Sequence, residues 1–238
     1  MSDLLRIQNL EKHYDGFDLE GVSLSVPAGS VVGFIGSNGA GKTTTIKAAV
    51  GILDFERGDI FIDGHSVKRE PMACKAVTAY IPDNPDLYDH LTGIQYLNFV
   101  GDVFAVEGEL RRQRIAKYGD RLELTANLGD PISSYSHGMK QKLAIISALI
   151  HAPKLLVLDE PMVGLDPSAA FQLKQIMKEL CAQGSTIFFS THVLEVAEKL
   201  CDKIAIIKEG RLVVSGPTHE VIGQSSLEDV FLELIDHE

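Results

Sequence analysis

Through the first third of the chain, apolar residues either alternate with polar ones or run together in short blocks. This pattern predicts strands at residues 4–9, 18–26 and 31–35. The turn-formers Asp15-Gly16 and Pro27-Ala28-Gly29 separate them. After a glycine-rich segment, a helix is predicted from Lys42 to about Val50, closing at Gly51. Strand signals return at residues 59–62 and 77–82, and from Gly93 to Ile150 the periodicity becomes helical. One helix there carries Ile94, Leu97, Gly101 and Phe104 on a single face, and a second runs near Ile115, Leu122 and Leu124. The wholly apolar block at 155–158 reads as a buried strand. A helix near 168–182, a strand at 186–190 and a helix near 193–200 follow it. Residues 204–208 and 211–215 flank Glu209-Gly210, a two-residue hairpin signal. The last helix starts at Ser226, where Ser226 and Asp229 have capping-box spacing with Asp in place of the usual Glu or Gln.

Strands that alternate with helices call for a parallel sheet covered on both faces. The expected fold class is therefore α/β: a mostly parallel sheet with an N-terminal antiparallel β lobe, an inserted helical lobe over roughly 84–150, and a C-terminal hairpin and helix over 203–238. A chain of 238 residues, 45% hydrophobic, can bury a core without staples, and no repeat or linker divides it. One domain, 1–238, is expected.

Charge and cysteine content narrow the function classes. A net charge of −11 repels nucleic acid and anionic lipid, so no nucleic-acid partner is expected. A local exception is the run Arg111, Arg112, Arg114, Lys117, Arg121, read as a solvated helix face. Cys74, Cys181 and Cys201 form no CxxC pair and read as buried hydrophobes in a reducing compartment. The start, MSDLLRIQNLEKHYDG, has none of the marks of a secretory signal, and His151, Pro153 and Lys154 interrupt the most apolar stretch, so no membrane span is expected.

The chemistry is concentrated in a few segments. Gly36, Ser37, Asn38, Gly39, Ala40, Gly41, Lys42 and Thr43 match G-x-x-x-x-G-K-[ST] in full, directly after an apolar strand and before a helix. Such a loop converges backbone N–H groups and a helix N-terminus on a triphosphate. Lys42 is expected to neutralise the β- and γ-phosphates, Thr43 to offer its hydroxyl to magnesium, and Thr44 to line the same site. The strand at 155–158 delivers Asp159 and Glu160 at its C-terminal edge, where ligands of open parallel sheets sit. Asp159 would hold the magnesium shell, and Glu160 would act as general base on the attacking water.

Together these segments resemble the nucleotide-binding subunit of ATP-binding-cassette (ABC) transporters over essentially the whole chain, which implies a P-loop NTPase core. Tyr135-Ser136-His137-Gly138-Met139-Lys140-Gln141 resembles the family's signature segment. The resemblance implies that Ser136 and Gly138 contact the γ-phosphate held by a second copy of the domain. By the same resemblance, His192 is the switch histidine, Gly164-Leu165-Asp166 the D-loop, and Tyr14 the aromatic that stacks on adenine. Two departures stand out. His137 and Met139 replace the glycine and glutamine of the signature, and Asp83, in Tyr80-Ile81-Pro82-Asp83, occupies the position of the Q-loop glutamine. Asp83 is accordingly expected beside magnesium, with a simple turn role as the competing reading.

The resemblance implies an ATPase with ATP and Mg²⁺ as cofactors and a second ABC ATPase domain, most simply in a homodimer. It also implies a separate integral-membrane permease that holds the chain at the cytoplasmic face of the membrane. Residues 80–91 and 226–234 look like segments of export-type members. A cytosolic ABC-type ATPase of some assembly process is the alternative. A small-molecule kinase is disfavoured by Glu160, the Ser136 segment and His192, and a dinucleotide enzyme by the spacing of Gly36, Gly39 and Gly41.

Overall fold

A computed structural model describes residues 2–236. Met1 and the last two residues of the 203–238 segment lie outside it. The central sheet has six strands: β3 (Val31–Ile35), β6 (Thr78–Ile81), β7 (Leu155–Leu158), β8 (Thr186–Thr191), β9 (Lys203–Lys208) and β10 (Arg211–Pro217). Their order is β10-β9-β3-β8-β7-β6, and every pair is parallel except β9 with β10. A second, antiparallel sheet is ordered β2-β1-β4-β5, from β1 (Asp3–Tyr14), β2 (Phe17–Pro27), β4 (Arg57–Ile62) and β5 (His65–Ser66). These are the expected mostly parallel core and antiparallel lobe.

Side-chain alternation along the buried strands divides the core in two. Leu156, Leu158, Ile187 and Phe189 face the helices α3 (Gly93–Val103), α4 (Gly108–Arg121), α5 (His137–Leu149), α6 (Pro167–Ala182) and α7 (Leu194–Leu200). Val157, Phe188, Phe34 and Ala205 face helix α1 (Lys42–Ala49) and the inner side of the antiparallel sheet. Strands buried on both faces have to be continuously apolar, which is why 155–158 and 186–190 are so legible.

Four elements differ from the expectation. Strand β1 runs on to Tyr14 because its register with β2 shifts between Ile7 and Leu10, at a left-handed Asn9 (φ 46°), and the bulge takes the alternation out of phase. Helix α2 (Pro71–Val77) buries only Cys74 and α8 (Thr218–Ile222) only Thr218, too few positions for a periodic signal. Helix α6 begins one residue earlier than expected, capped by Asp166, whose side chain accepts from Ala169 N–H at 2.9 Å. The last helix, α9 (Leu227–Asp236), has the reciprocal Ser226–Asp229 cap that the spacing predicts.

The basic run on α4 is tied up within the chain. Arg111 pairs with Asp102, Arg112 with Glu109 and Arg121 with Glu179, while Arg114 donates to the Ile150 carbonyl. The cysteines are unpaired thiols. Cys74 and Cys201 are buried, and burial raises the pKa of all three.

Candidate active site

The site lies at the C-terminal edge of the parallel sheet, where β3 turns into α1. Two glycines there have physical reasons to be glycine. A Cβ on Gly36 would lie 2.6 Å from the Ile207 carbonyl oxygen. Gly41 caps α1 at φ +107°, and a Cβ would meet Leu19 at 2.6 Å. The loop therefore folds tightly against β9 and β2, and the first turn of α1 carries no acidic residue that would oppose an anion. Ser37, Asn38, Gly39, Gly41, Lys42, Thr43 and Thr44 line a cleft of about 550 Å³. Ala40 is buried behind them.

Lys42 is 6% exposed. Its Nζ donates to the carbonyls of Gly36 at 2.8 Å and Ser37 at 3.2 Å, and lies 3.5 Å from Glu160 Oε1. Glu160 Oε1 has no hydrogen bond, while Oε2 pairs with His192 Nδ1 at 2.9 Å. One chain of contacts thus runs from the phosphate-loop lysine through the carboxylate to the strand-end histidine. Glu160 holds a left-handed backbone (φ 48°), an uncommon conformation for a residue with a side chain.

Asp159 is fully buried beside the cleft. Its Oδ1 accepts from Ser190 Oγ at 2.5 Å, and its Oδ2 has no partner. Asp83 and Glu160 line the cleft, and Asp83 Oδ1 accepts from Asn84 N–H at 2.9 Å. The buried Tyr80 hydroxyl is also unpartnered, and burial, reinforced by Asp159 and Asp83, raises its pKa. The orphaned Oδ2 of Asp159, beside a cleft lined by Thr43, Thr44, Asp83 and Glu160, suits a hard cation. Among the described residues no three acidic, histidine or cysteine side chains form a metal cage.

The other expected residues fall into two groups. Tyr14 is 44% exposed, with Lys12 Nζ 5.3 Å from its ring centre, and stands outside the cleft lining. Gly16 and Phe17 line the cleft instead. Tyr14 and Phe17 are paired across the same hairpin end, so a sequence reading has no basis for choosing between them. Ser136 and Gly138 are also outside this lining. Ser136 caps α5, accepting from Met139 N–H at 3.3 Å, and a Cβ on Gly138 would lie 2.7 Å from the Gly164 carbonyl. Lys142 pairs with Asp166 at 2.8 Å, a bond that holds the Asp166 carboxyl below its ordinary pKa. The signature helix is therefore locked to the 164–166 turn. Gly16, Phe17 and Ser190 are the site residues that sequence reasoning missed.

A family model described as ABC transporter matches residues 19–163, more than half of the chain. The chain belongs to the ABC transporter family. It is 36% identical over 216 residues to YhcH of Bacillus subtilis, an uncharacterized ABC transporter ATP-binding protein, covering 90% of this chain and 70% of that one. It is 34% identical to the Nod factor export ATP-binding protein I of Burkholderia orbicola, covering 90% and 71%. A Nostoc ABC transporter ATP-binding protein is 38% identical, and there the chain spans 62% of the relative's length. A solved ATP-binding subunit of an ABC transporter superposes with a TM-score of 0.93 at 34% identity, over 98% of this chain and all of that one. The ABC ATP-binding domain is a P-loop ATPase domain, and its fold is the one described above.

Proposed function

We propose that this chain, as one ATPase domain over 1–238, binds and hydrolyses ATP to drive a separate membrane permease. The observation that carries the reading is the continuous contact from Lys42 through Glu160 to His192 at the lip of the cleft. Lys42 and the loop N–H groups hold the triphosphate, with Ser37, Asn38, Gly39 and Gly41 as the backbone cradle. Thr43, Asp159 and Asp83 would hold magnesium, which supplies positive charge to the β- and γ-phosphate oxygens. Glu160 takes a proton from the attacking water, and His192 holds that carboxylate in place. Phe17 and Tyr14, at the hairpin beside the cleft, offer the aromatic surfaces for the base.

Ser136 and Gly138 serve a second copy of the chain, since they stand outside the cleft that Lys42 lines. Two copies would then form two shared sites in a homodimer. No helix among the described residues is long and apolar enough to cross a membrane, so any membrane-spanning part of the machine lies beyond them. The chain would work at the cytoplasmic face of the membrane, and the export direction follows the Nod factor export relative.

Release of free phosphate from MgATP by the purified chain, together with recovery of a multi-span protein in a detergent pull-down, tests the reading. Transfer of phosphate to a small molecule would replace it with a kinase. ATPase activity with only soluble partners would make the chain a cytosolic assembly factor.

A further inference from the structure

The register of the central sheet places a hydroxyl where the pattern of the sheet calls for an apolar side chain. Val157 pairs with Phe188 and Leu158 with Phe189, so Ser190 lies beside Asp159 on the next rung. On its other side Ser190 pairs with Phe34 of β3. Ser190 is fully buried, and a hydroxyl is unfavourable there unless its hydrogen bonds are made. Both are made to the catalytic edge. Its Oγ donates to Asp159 Oδ1 at 2.5 Å and accepts the backbone N–H of Glu160 at 2.9 Å.

We infer that Ser190 is a positioning residue that sets the Asp159 carboxylate for the cation while pinning the backbone of Glu160. The first bond occupies Oδ1 and leaves Oδ2, the unpartnered oxygen, as the one free to meet a cation. The second fixes a backbone that stands in the left-handed region at φ 48°. That turn carries the Glu160 side chain to Lys42 and His192. A single hydroxyl therefore sets both carboxylates from behind, without touching nucleotide or water itself. Alanine would leave the carboxylate of Asp159 free to rotate and the Glu160 N–H without its partner.

This inference rests on the assignment of Asp159 to magnesium, and the test separates the two. Ser190→Ala and Asp159→Asn are titrated with Mg²⁺ in the presence of a fluorescent non-hydrolysable ATP analogue, and analogue affinity is measured again in EDTA. For Ser190→Ala the Mg²⁺ needed for half-saturation should rise about 10- to 100-fold, with affinity in EDTA unchanged and kcat lowered. A Mg²⁺ requirement equal to wild type overturns the inference whatever happens to kcat. So does an equal loss of affinity with and without Mg²⁺, the mark of a purely structural role. If alanine prevents folding, Ser190→Thr, which keeps a hydroxyl, carries the test. It should match the wild-type Mg²⁺ requirement, and a folded threonine variant needing tenfold more, as an order of magnitude, overturns the inference. An unchanged requirement in Asp159→Asn would instead remove the magnesium assignment itself.

Discussion

Nδ1 of His192 lies 2.9 Å from Oε2 of Glu160, joining the ends of β8 and β7 across the edge of the parallel sheet. The histidine is half exposed and the carboxylate mostly buried, so the pair reaches from the protein interior to the mouth of the cleft. On the far side of the same carboxylate stands the Lys42 ammonium at 3.5 Å. A carboxylate gripped from both sides in this way is held in one orientation, which a general base requires.

Lys42→Ala should weaken nucleotide binding itself. The ammonium is buried among loop carbonyls, and truncating one partner of a buried charged pair costs about 2–5 kcal/mol, or roughly 30- to several-thousand-fold in affinity. Calorimetry with ATP checks this, and an unchanged affinity contradicts the role.

Ser136 should act on nucleotide bound to the partner copy. Mixing Lys42→Ala chains with Ser136→Ala chains yields a heterodimer with one intact composite site and one doubly damaged site. ATPase activity should partly return on mixing. If demonstrated subunit exchange restores nothing, the sites are not shared.

Asp83 lines the cleft, yet one of its oxygens already accepts the Asn84 N–H. If its second oxygen serves the cation, Asp83→Ala raises the magnesium needed for half-maximal ATPase by about tenfold, and Asp83→Gln restores much of the loss. The titrations belong at fixed ATP and ionic strength, because divalent salt also screens an acidic surface. Identical curves for the three proteins would leave Asp83 a turn residue.

His151 gives a prediction about stability. Its ring stacks on Phe104 at 3.7 Å between centroids, neither nitrogen has a hydrogen-bond partner, and burial pushes its pKa down to about 4. The unfolded chain takes up a proton between about pH 6.5 and pH 4 that the folded chain refuses, so stability falls as pH drops through that window. Allowing for partial solvation of the ring, the loss is on the order of 1–2 kcal/mol. His151→Phe keeps the stack and should lose less stability between about pH 7 and pH 4.5 in urea unfolding. Equal losses in the two proteins would contradict the assignment.

The legible parts of the chain were those whose meaning is local. The phosphate loop is eight contiguous residues, and Asp159 and Glu160 follow a strand too apolar to be anything but buried. Ser190 was invisible because its role depends on the register between β7 and β8, which no local pattern encodes. Helix α6 is expected only from near 168 because Asp166 reads as part of the 164–166 segment, whereas its side chain serves Ala169 N–H and Lys142 at once. Phe17 was missed because the hairpin turn, rather than the pattern of β1, decides which aromatic reaches the cleft.

In the proposed mechanism Glu160 is the base for ATP hydrolysis in a site whose binding contacts survive its loss. Glu160→Gln keeps the size of the side chain and removes its basicity, so hydrolysis should fall by about 10²–10⁴. The most direct measurement follows ATP turnover and size-exclusion behaviour of this variant in MgATP. Tight ATP binding, almost no phosphate release and accumulation of an ATP-bound dimer are expected. A monomeric variant that hydrolyses ATP at near wild-type rate would contradict the proposed mechanism.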